Sequence, residues 1–232
     1  MRNLLGRHRL LVSSTIVQYT KRMYYYFILG GVAVFSIWTV GSYLAIRNLE
    51  EPTYTVLETR NGYEIREYAP YIVAETEVTG DYSEVLPRGF GTIADYIFGN
   101  NTSNTSIAMT VPVLENTSEK IAMTVPVINT TETSQARTVS FVLPSKYTLE
   151  TLPTPNNPRV RITAVPSRTV AVLGFTWYAT EKRVSQKQLL LEELLSVDGL
   201  TKQGVVQVAQ YNPPLSMPLM LRNEIIIPIT GL

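Results

Sequence analysis

The sequence predicts an α+β protein: one N-terminal membrane-spanning helix, then a mainly antiparallel, strongly curved domain made of two similar halves. Three observations predict it. No charged side chain occurs between Tyr24 and Ile46. From Tyr54 to Ile229 the apolar pattern switches between a period of two and a helical period. That switch happens twice, in the same order of strands, helix and strands.

At 1.5 Å per residue the uncharged run extends about 35 Å, enough for a hydrocarbon core of about 30 Å with some tilt. Tyr24, Tyr25 and Tyr26 open the run, and Trp38 and Tyr43 lie towards its far end, as interfacial aromatics do. A cleaved signal peptide would have a shorter apolar region and a small-x-small site, but Tyr43 stands where the first small residue is needed. The run has no polar face, so it does not read as a soluble core helix. Arg2, Arg7, Arg9, Lys21 and Arg22 precede it, whereas Arg47 is followed by Glu50 and Glu51. The positive-inside bias therefore keeps the N-terminus in the cytoplasm and exports the domain from a single-pass anchor in the cell membrane. Sequons at Asn100, Asn101, Asn104, Asn116 and Asn129 agree with export. The expected division is a basic cytoplasmic tail over residues 1–22, the anchor over 23–47, a linker over 48–53 and the domain over 54–232.

Along the domain, Tyr54–Thr59 and Tyr63–Tyr68 are β-rich runs joined through Asn61-Gly62, a strong hairpin signal. Tyr71–Thr79 continues as a strand after Pro70. Leu86, Phe90, Ile93, Ala94 and Ile97 then recur at helical spacing, with Asp81 or Ser83 as cap and Pro87 either in the first turn or kinking the helix. Ile107–Val113 returns unchanged as Ile121–Val127, a repeat that reads as two strands of a hairpin around a polar hinge. Thr138–Leu143, Arg159–Val165 and Thr169–Phe175 read as strands. Thr180–Val197 is a helix with Leu190, Leu191, Leu194 and Leu195 on its apolar side and Gly199 near its C-cap. Val205–Tyr211 and Glu224–Ile229 close the domain.

Composition excludes several chemistries. The chain has no cysteine, hence no disulfide, thiolate nucleophile or zinc–thiolate site. The single histidine, His8, precedes the anchor. With neither residue in the domain, the common nucleophile–base pairs are missing, and no Gly-rich phosphate loop is present. Glu64, Glu67, Glu75 and Glu77 fall on exposed strand positions, and Arg222 with Glu224 reads as a structural ion pair. The formal net charge of +1 gives no argument for nucleic acid as a partner. The sequence points away from an enzyme.

Several segments together resemble the SOUL haem-binding protein family. They are Arg60-Asn-Gly-Tyr-Glu-Ile-Arg-Glu-Tyr68, Tyr96-Ile-Phe-Gly99, the doubled Ile-Ala-Met-Thr-Val-Pro-Val and Val139-Ser-Phe-Val-Leu-Pro-Ser-Lys-Tyr147, with Tyr211-Asn-Pro-Pro214 and Arg222-Asn-Glu224. The resemblance runs in order across about Tyr54–Ile229. It implies a distorted, barrel-like antiparallel sheet with two flanking helices and pseudo-twofold internal symmetry. It also implies that the domain binds haem or a related porphyrin; with His8 before the anchor, the exported domain has no histidine to ligate it. On an exported, anchored domain this predicts a tetrapyrrole carrier or scavenger. The alternative is a non-catalytic protein-interaction or envelope-structural module that kept the fold and lost the ligand.

A tetrapyrrole is a flat apolar disc with carboxylates on one edge, so it needs an apolar cleft and a cation at the rim. The first domain helix offers Leu86, Phe90, Ile93 and Ile97 for the face and Arg88 for a propionate; packing of this stripe on the sheet is the competing reading. The proline-rich loop after Tyr211 is a second candidate. It is either a lip of the groove with Met217 or Met220 as weak axial ligand, or a membrane contact, or part of the core. Tyr63, Tyr68 and Tyr71 are possible ferric ligands by chemistry, and their spacing selects none of them.

Overall fold

The computed structural model describes residues 2–47, 49–103, 120–131, 136–213 and 215–231 of the chain, without the side chains of 2–21, 45, 46 and 131. The first copy of the repeat, Ile107–Val113, and the sequons at Asn104 and Asn116 lie outside the described residues.

A single helix, α1, runs Arg2–Ile46 and contains one stretch, Arg22–Leu44, long and apolar enough to cross a membrane. Among the described residues twelve strands follow. They are β1 (Tyr54–Arg60), β2 (Tyr63–Tyr68), β3 (Tyr71–Thr79), β4 (Asn101–Thr102), β5 (Val127–Thr131), β6 (Ala136–Val142), β7 (Thr154–Pro155), β8 (Arg161–Val165), β9 (Arg168–Phe175), β10 (Thr201–Lys202), β11 (Gln207–Gln210) and β12 (Asn223–Thr230). Helix α2 (Tyr82–Ile97) lies between β3 and β4, and α3 (Glu181–Val197) between β9 and β10.

One antiparallel sheet carries the strand order β1-β2-β9-β12-β11-β5-β6-β3-β8, with β10 on β12; β4 and β7 pair separately. The sheet stays open. Its outer strands β1 and β8 each have one partner, and β1 exposes nearly all its side chains, so it has no inward row with which to close a barrel. Each helix follows one strand and leads to two that lie nearer the middle of the sheet: β3-α2-β5-β6 gives the spatial order β3-β6-β5, and β9-α3-β11-β12 gives β9-β12-β11. The strand before each unit crosses over. β2 leads into β3 but pairs with β9, and β8 leads into β9 but pairs with β3.

The elements form for local reasons. Gly62, at φ +94°, makes the β1–β2 turn. Thr180 caps α3, its side chain accepting the Arg183 backbone N–H at 3.4 Å. Asp81 occupies the corresponding position of α2 without a side-chain cap, and Pro87 sits inside the helix. The second copy of the repeat is not the strand its pattern suggests. Pro126 has no N–H to give, so the ladder starts only at Val127, and Thr124 makes an isolated bridge to Glu50.

Each helix closes its own core on one face of the sheet. Ile93, Ile97, Val85 and Tyr96 of α2 pack on Ala74, Val139 and Phe141. Val184, Leu191 and Leu195 of α3 pack on Ile65, Leu173, Ile225 and Ile227. Leu190, placed by pattern on the apolar side of α3, is exposed; the side of the helix that meets the sheet is narrower than the run of leucines. Gly89 brings α2 close to β6, since a Cβ there would lie 2.5 Å from Val139 Cγ2.

Candidate ligand-binding cleft

Strand alternation sends the other row of side chains to the face without helices. On its β2-β9-β12-β11 half that face is covered. Leu49 and Tyr54, from the segment after α1, pack over Tyr68, Val170, Val172, Tyr211 and Ile226. The segment is fastened by its backbone: Val125 N–H donates to Glu50 O at 3.0 Å, and Ser145 N–H to the Glu50 carboxylate at 2.8 Å. Residues 49–53 thus lie on the domain as a strap.

Under the strap lies a buried ionic cluster. Glu224 accepts from Arg66 Nη1 at 3.2 Å, from Tyr211 Oη at 2.6 Å and from Arg222 Nη2 at 3.1 Å. The Arg222–Glu224 pair expected from sequence is therefore present, and it is one edge of a larger network. Arg222 stacks on Tyr211 at 3.8 Å and reaches Glu51 of the strap at 2.9 Å; Arg66 stacks on Tyr54 at 4.4 Å. Burial, reinforced by the Glu224 carboxylate, pushes the Tyr211 phenol far above its ordinary value, so it stays a donor. Burial works against the Arg66 charge, but Glu224, Glu64 and Tyr68 together outweigh it and the guanidinium is held above its usual range. Every charge here has a partner, which makes the cluster a structural centre with no free valence for a ligand.

The other half of the same face is open. A cavity of about 330 Å³ has Val73, Ile128, Val165 and Pro228 as apolar wall and Arg168, Tyr71, Glu75 and Gln207 as polar groups. Arg168 Nη2 donates to Tyr71 Oη at 2.6 Å and to Gln207 Oε1 at 2.7 Å, while Arg168 Nε is buried without a partner. Burial pushes the Tyr71 phenol up, and Arg168 pulls it back. Glu75, read from sequence as solvated, is half-buried in this wall and accepts from Thr163 Oγ1 at 2.8 Å. A second cavity, of about 460 Å³, opens beside the first behind Gly204 and Val205, which line both. Tyr82, Arg137, Glu181, Gln188 and Lys202 make it the more polar of the two. Its cations are engaged: Arg137 pairs with Glu181 at 3.5 Å, and Lys202 with Glu192 at 2.7 Å. Burial pushes the Tyr82 phenol up to about 12.

None of the seven side chains selected from sequence lines either cavity. Ile93 and Ile97 are 0% and 2% exposed in the α2 core, and Leu86 and Phe90 are half-buried at its margin. Arg88 is exposed and donates to Thr79 O at 3.2 Å. Met217 is buried against α1, where Thr39 Oγ1 reaches its sulfur at 3.3 Å, and Met220 is half-buried in a short 3₁₀ turn. Sequence reasoning passed over Arg168. Its one signal is a charge at the head of a strand that is otherwise apolar to Phe175. Among the sequons, Asn101 is buried with its amide donating to Tyr96 O at 2.8 Å, and Asn129 is buried in β5. Neither amide is open to a glycan in the folded domain. Among the described residues no group of three or more His, Asp or Glu side chains is placed to hold a metal ion.

Solved structures share the fold. The C-terminal domain of EcmrR aligns with a TM-score of 0.51 at 11% identity, covering 77% of this chain and 99% of that one. A hydrolase from Listeria innocua aligns with a TM-score of 0.47 at 12% identity, covering 75% of this chain and 94% of its own. These likenesses concern architecture alone. No curated protein sequence matches the chain significantly. The family model described as SOUL heme-binding protein matches residues 49–228, from the strap to β12, and the chain accordingly belongs to the SOUL haem-binding family.

Proposed function

We propose that this chain is a membrane-anchored tetrapyrrole-binding protein, a carrier or scavenger outside the cytoplasm, whose ligand is held in the Tyr71–Arg168 cleft. Family membership supports the tetrapyrrole role. The observation that favours this seat is the 2.6 Å Tyr71–Arg168 pair beside an apolar wall, with the Arg168 Nε–H still unspent. Tyr71 offers an oxygen donor of the kind that ligates ferric haem, and Arg168 offsets part of the burial that raises its phenol. Arg168 also offers a fork for a propionate. The cleft lies near the lower end of the 300–1,000 Å³ or so of small-molecule sites, and the adjoining cavity extends it. The apolar stretch of α1 and the five basic residues before it support an anchor with the N-terminus in the cytoplasm. The strand order supports two βαββ halves related by a pseudo-twofold axis between β11 and β5. We read the role as binding rather than catalysis.

Tyr71→Phe tests the seat. It keeps the ring and removes the donor, so ferric haem should lose its phenolate-to-iron charge-transfer absorbance, and affinity should fall about tenfold or more, at least about 1.4 kcal/mol. An unchanged spectrum and affinity would move the ligand elsewhere. The second seat is the α2 surface, which carries half-buried Leu86 and Phe90 over buried Ile93 and Ile97, with Arg88 exposed on the same helix. Arg88→Glu would weaken binding there and leave it untouched in the Tyr71–Arg168 cleft.

A further inference from the structure

Residues 215–221 are divided in their exposure. Ser216, Met217 and Leu221 are buried, whereas Leu215 and Leu219 are 87% and 62% exposed. The loop is fastened to α1 rather than to the sheet. Trp38 Nε1 donates to Leu215 O at 2.8 Å, and Met217 N–H donates to Ser42 Oγ at 2.9 Å. Ser42 in turn donates to Trp38 O at 2.8 Å, so these contacts form one patch on one face of the helix.

The depth of that patch matters. Trp38 precedes Leu44, the end of the apolar stretch, by six residues, about 9 Å along the helix. If the hydrocarbon ends near Leu44, the loop lies within it. If it ends at Trp38, a residue type that settles at headgroup level, the loop lies in the interface. In both placements two bare leucines sit at membrane depth beside α1.

Irregular backbone survives at such depth only when its polar groups are satisfied. Besides the two bonds to α1, Ser216 N–H donates to Pro213 O at 3.0 Å, Met220 N–H to Met217 O at 2.9 Å and Leu221 N–H to Pro218 O at 3.3 Å. Pro213 and Pro218 bring no N–H at all. Next to the loop, at the end of β9 that meets the start of β12, Trp177 and Tyr178 stand exposed in an edge-to-face pair, and the Trp177 carbonyl is held by Asn223 at 2.7 Å. Aromatics of this kind suit the headgroup layer.

We propose that the 215–221 loop is a second membrane element, with Leu215 and Leu219 inserted in the outer leaflet beside α1. It fixes the domain against the bilayer instead of letting it swing on its anchor. The strap contacts of Glu50 and Glu51 complete the same rigid junction. The proposal rests on the reading of α1 as a membrane span.

The natural absence of cysteine makes the test clean. Single cysteines at Leu215→Cys, Leu219→Cys, Ile37→Cys and Thr201→Cys, each labelled with an environment-sensitive fluorophore, are reconstituted as the full chain in phosphatidylcholine vesicles. Thr201 is exposed and pairs with Thr230, seven residues or about 23 Å along β12 from Asn223. Quenching by nitroxide-bearing lipid is compared with quenching by aqueous iodide. The expected result is lipid quenching at Leu215 and Leu219 close to that at Ile37 and several-fold above that at Thr201, with iodide in the reverse order. Lipid quenching at Ile37 with iodide access at Leu215 and Leu219 would overturn the loop proposal and leave the anchor standing. Iodide access at Ile37 as well would overturn both.

Discussion

Glu224 shows how much a single side chain carries in this molecule. It is buried and bonded to two arginines and a tyrosine, and Arg66 is buried with it. Glu224→Ala strands those charges, so the domain should lose about 3–5 kcal/mol, seen as a large fall in the urea midpoint. The Tyr63–Asp198 pair is milder and depends on pH. The Tyr63 hydroxyl, donating at 2.5 Å, holds the Asp198 carboxyl below the usual carboxylate range. A lowered carboxylate pKa stabilises above the unfolded value of about 3.9 and loses that contribution as pH falls through the folded one. Burial, then the bond to Asp198, raises the Tyr63 phenol, whose contribution is present below about 10 and fades as pH rises through its folded value. Tyr63→Phe should therefore be less stable than the native chain from about pH 5 to pH 9, and the gap should close on either side. A stability difference that did not change with pH would mean that packing, not the bond, is lost. At this scale the sequence told only part. Arg222 and Glu224 stand two residues apart at the head of β12 and read as a pair, but Arg66 arrives from a strand 158 residues away and no local pattern announces it.

The two domain helices were legible as elements because capping and apolar spacing are local. Tyr63–Tyr68 and Tyr71–Thr79 were legible too, bounded by Asn-Gly and Pro. The repeat misled, since its strand-like composition ignores that Pro126 delays the ladder to Val127. Gly89 was silent in sequence and carries the approach of α2 to β6. Gly89→Ala drives a methyl into Val139, buried in the same core, and should cost about 1–3 kcal/mol despite the better helix propensity of alanine. A rise in the melting temperature of that variant would show that α2 can lift off the sheet without penalty. The apolar stripe of α2 reads in sequence either as a ligand face or as packing on the sheet, and Ile93 and Ile97 of it meet the sheet. Periodicity identifies which side is apolar but not what covers it.

For the whole molecule, the crossed strands β2 and β8 tie each half to the other, so the uncovered face of the sheet is one surface shared by both halves. The strap closes one side of that surface with an ionic cluster, and the other side remains as the cleft. That cleft draws on β3, β5, β6, β8, β9, β11, β12 and the turn before β11, segments with no common periodicity, which is why its residues are not visible in sequence while the family is. The central claim is that this cleft holds a tetrapyrrole through Tyr71 and Arg168. The most direct measurement is a Soret-band titration of the full chain in nanodiscs with haemin and with iron-free porphyrin, against empty nanodiscs and the Arg168→Ala chain. A saturable one-to-one shift with haemin, tighter than with iron-free porphyrin and weakened in Arg168→Ala, is the predicted result. A signal no larger than that of empty nanodiscs for both ligands would contradict it, and would leave a fold retained for binding a protein partner instead.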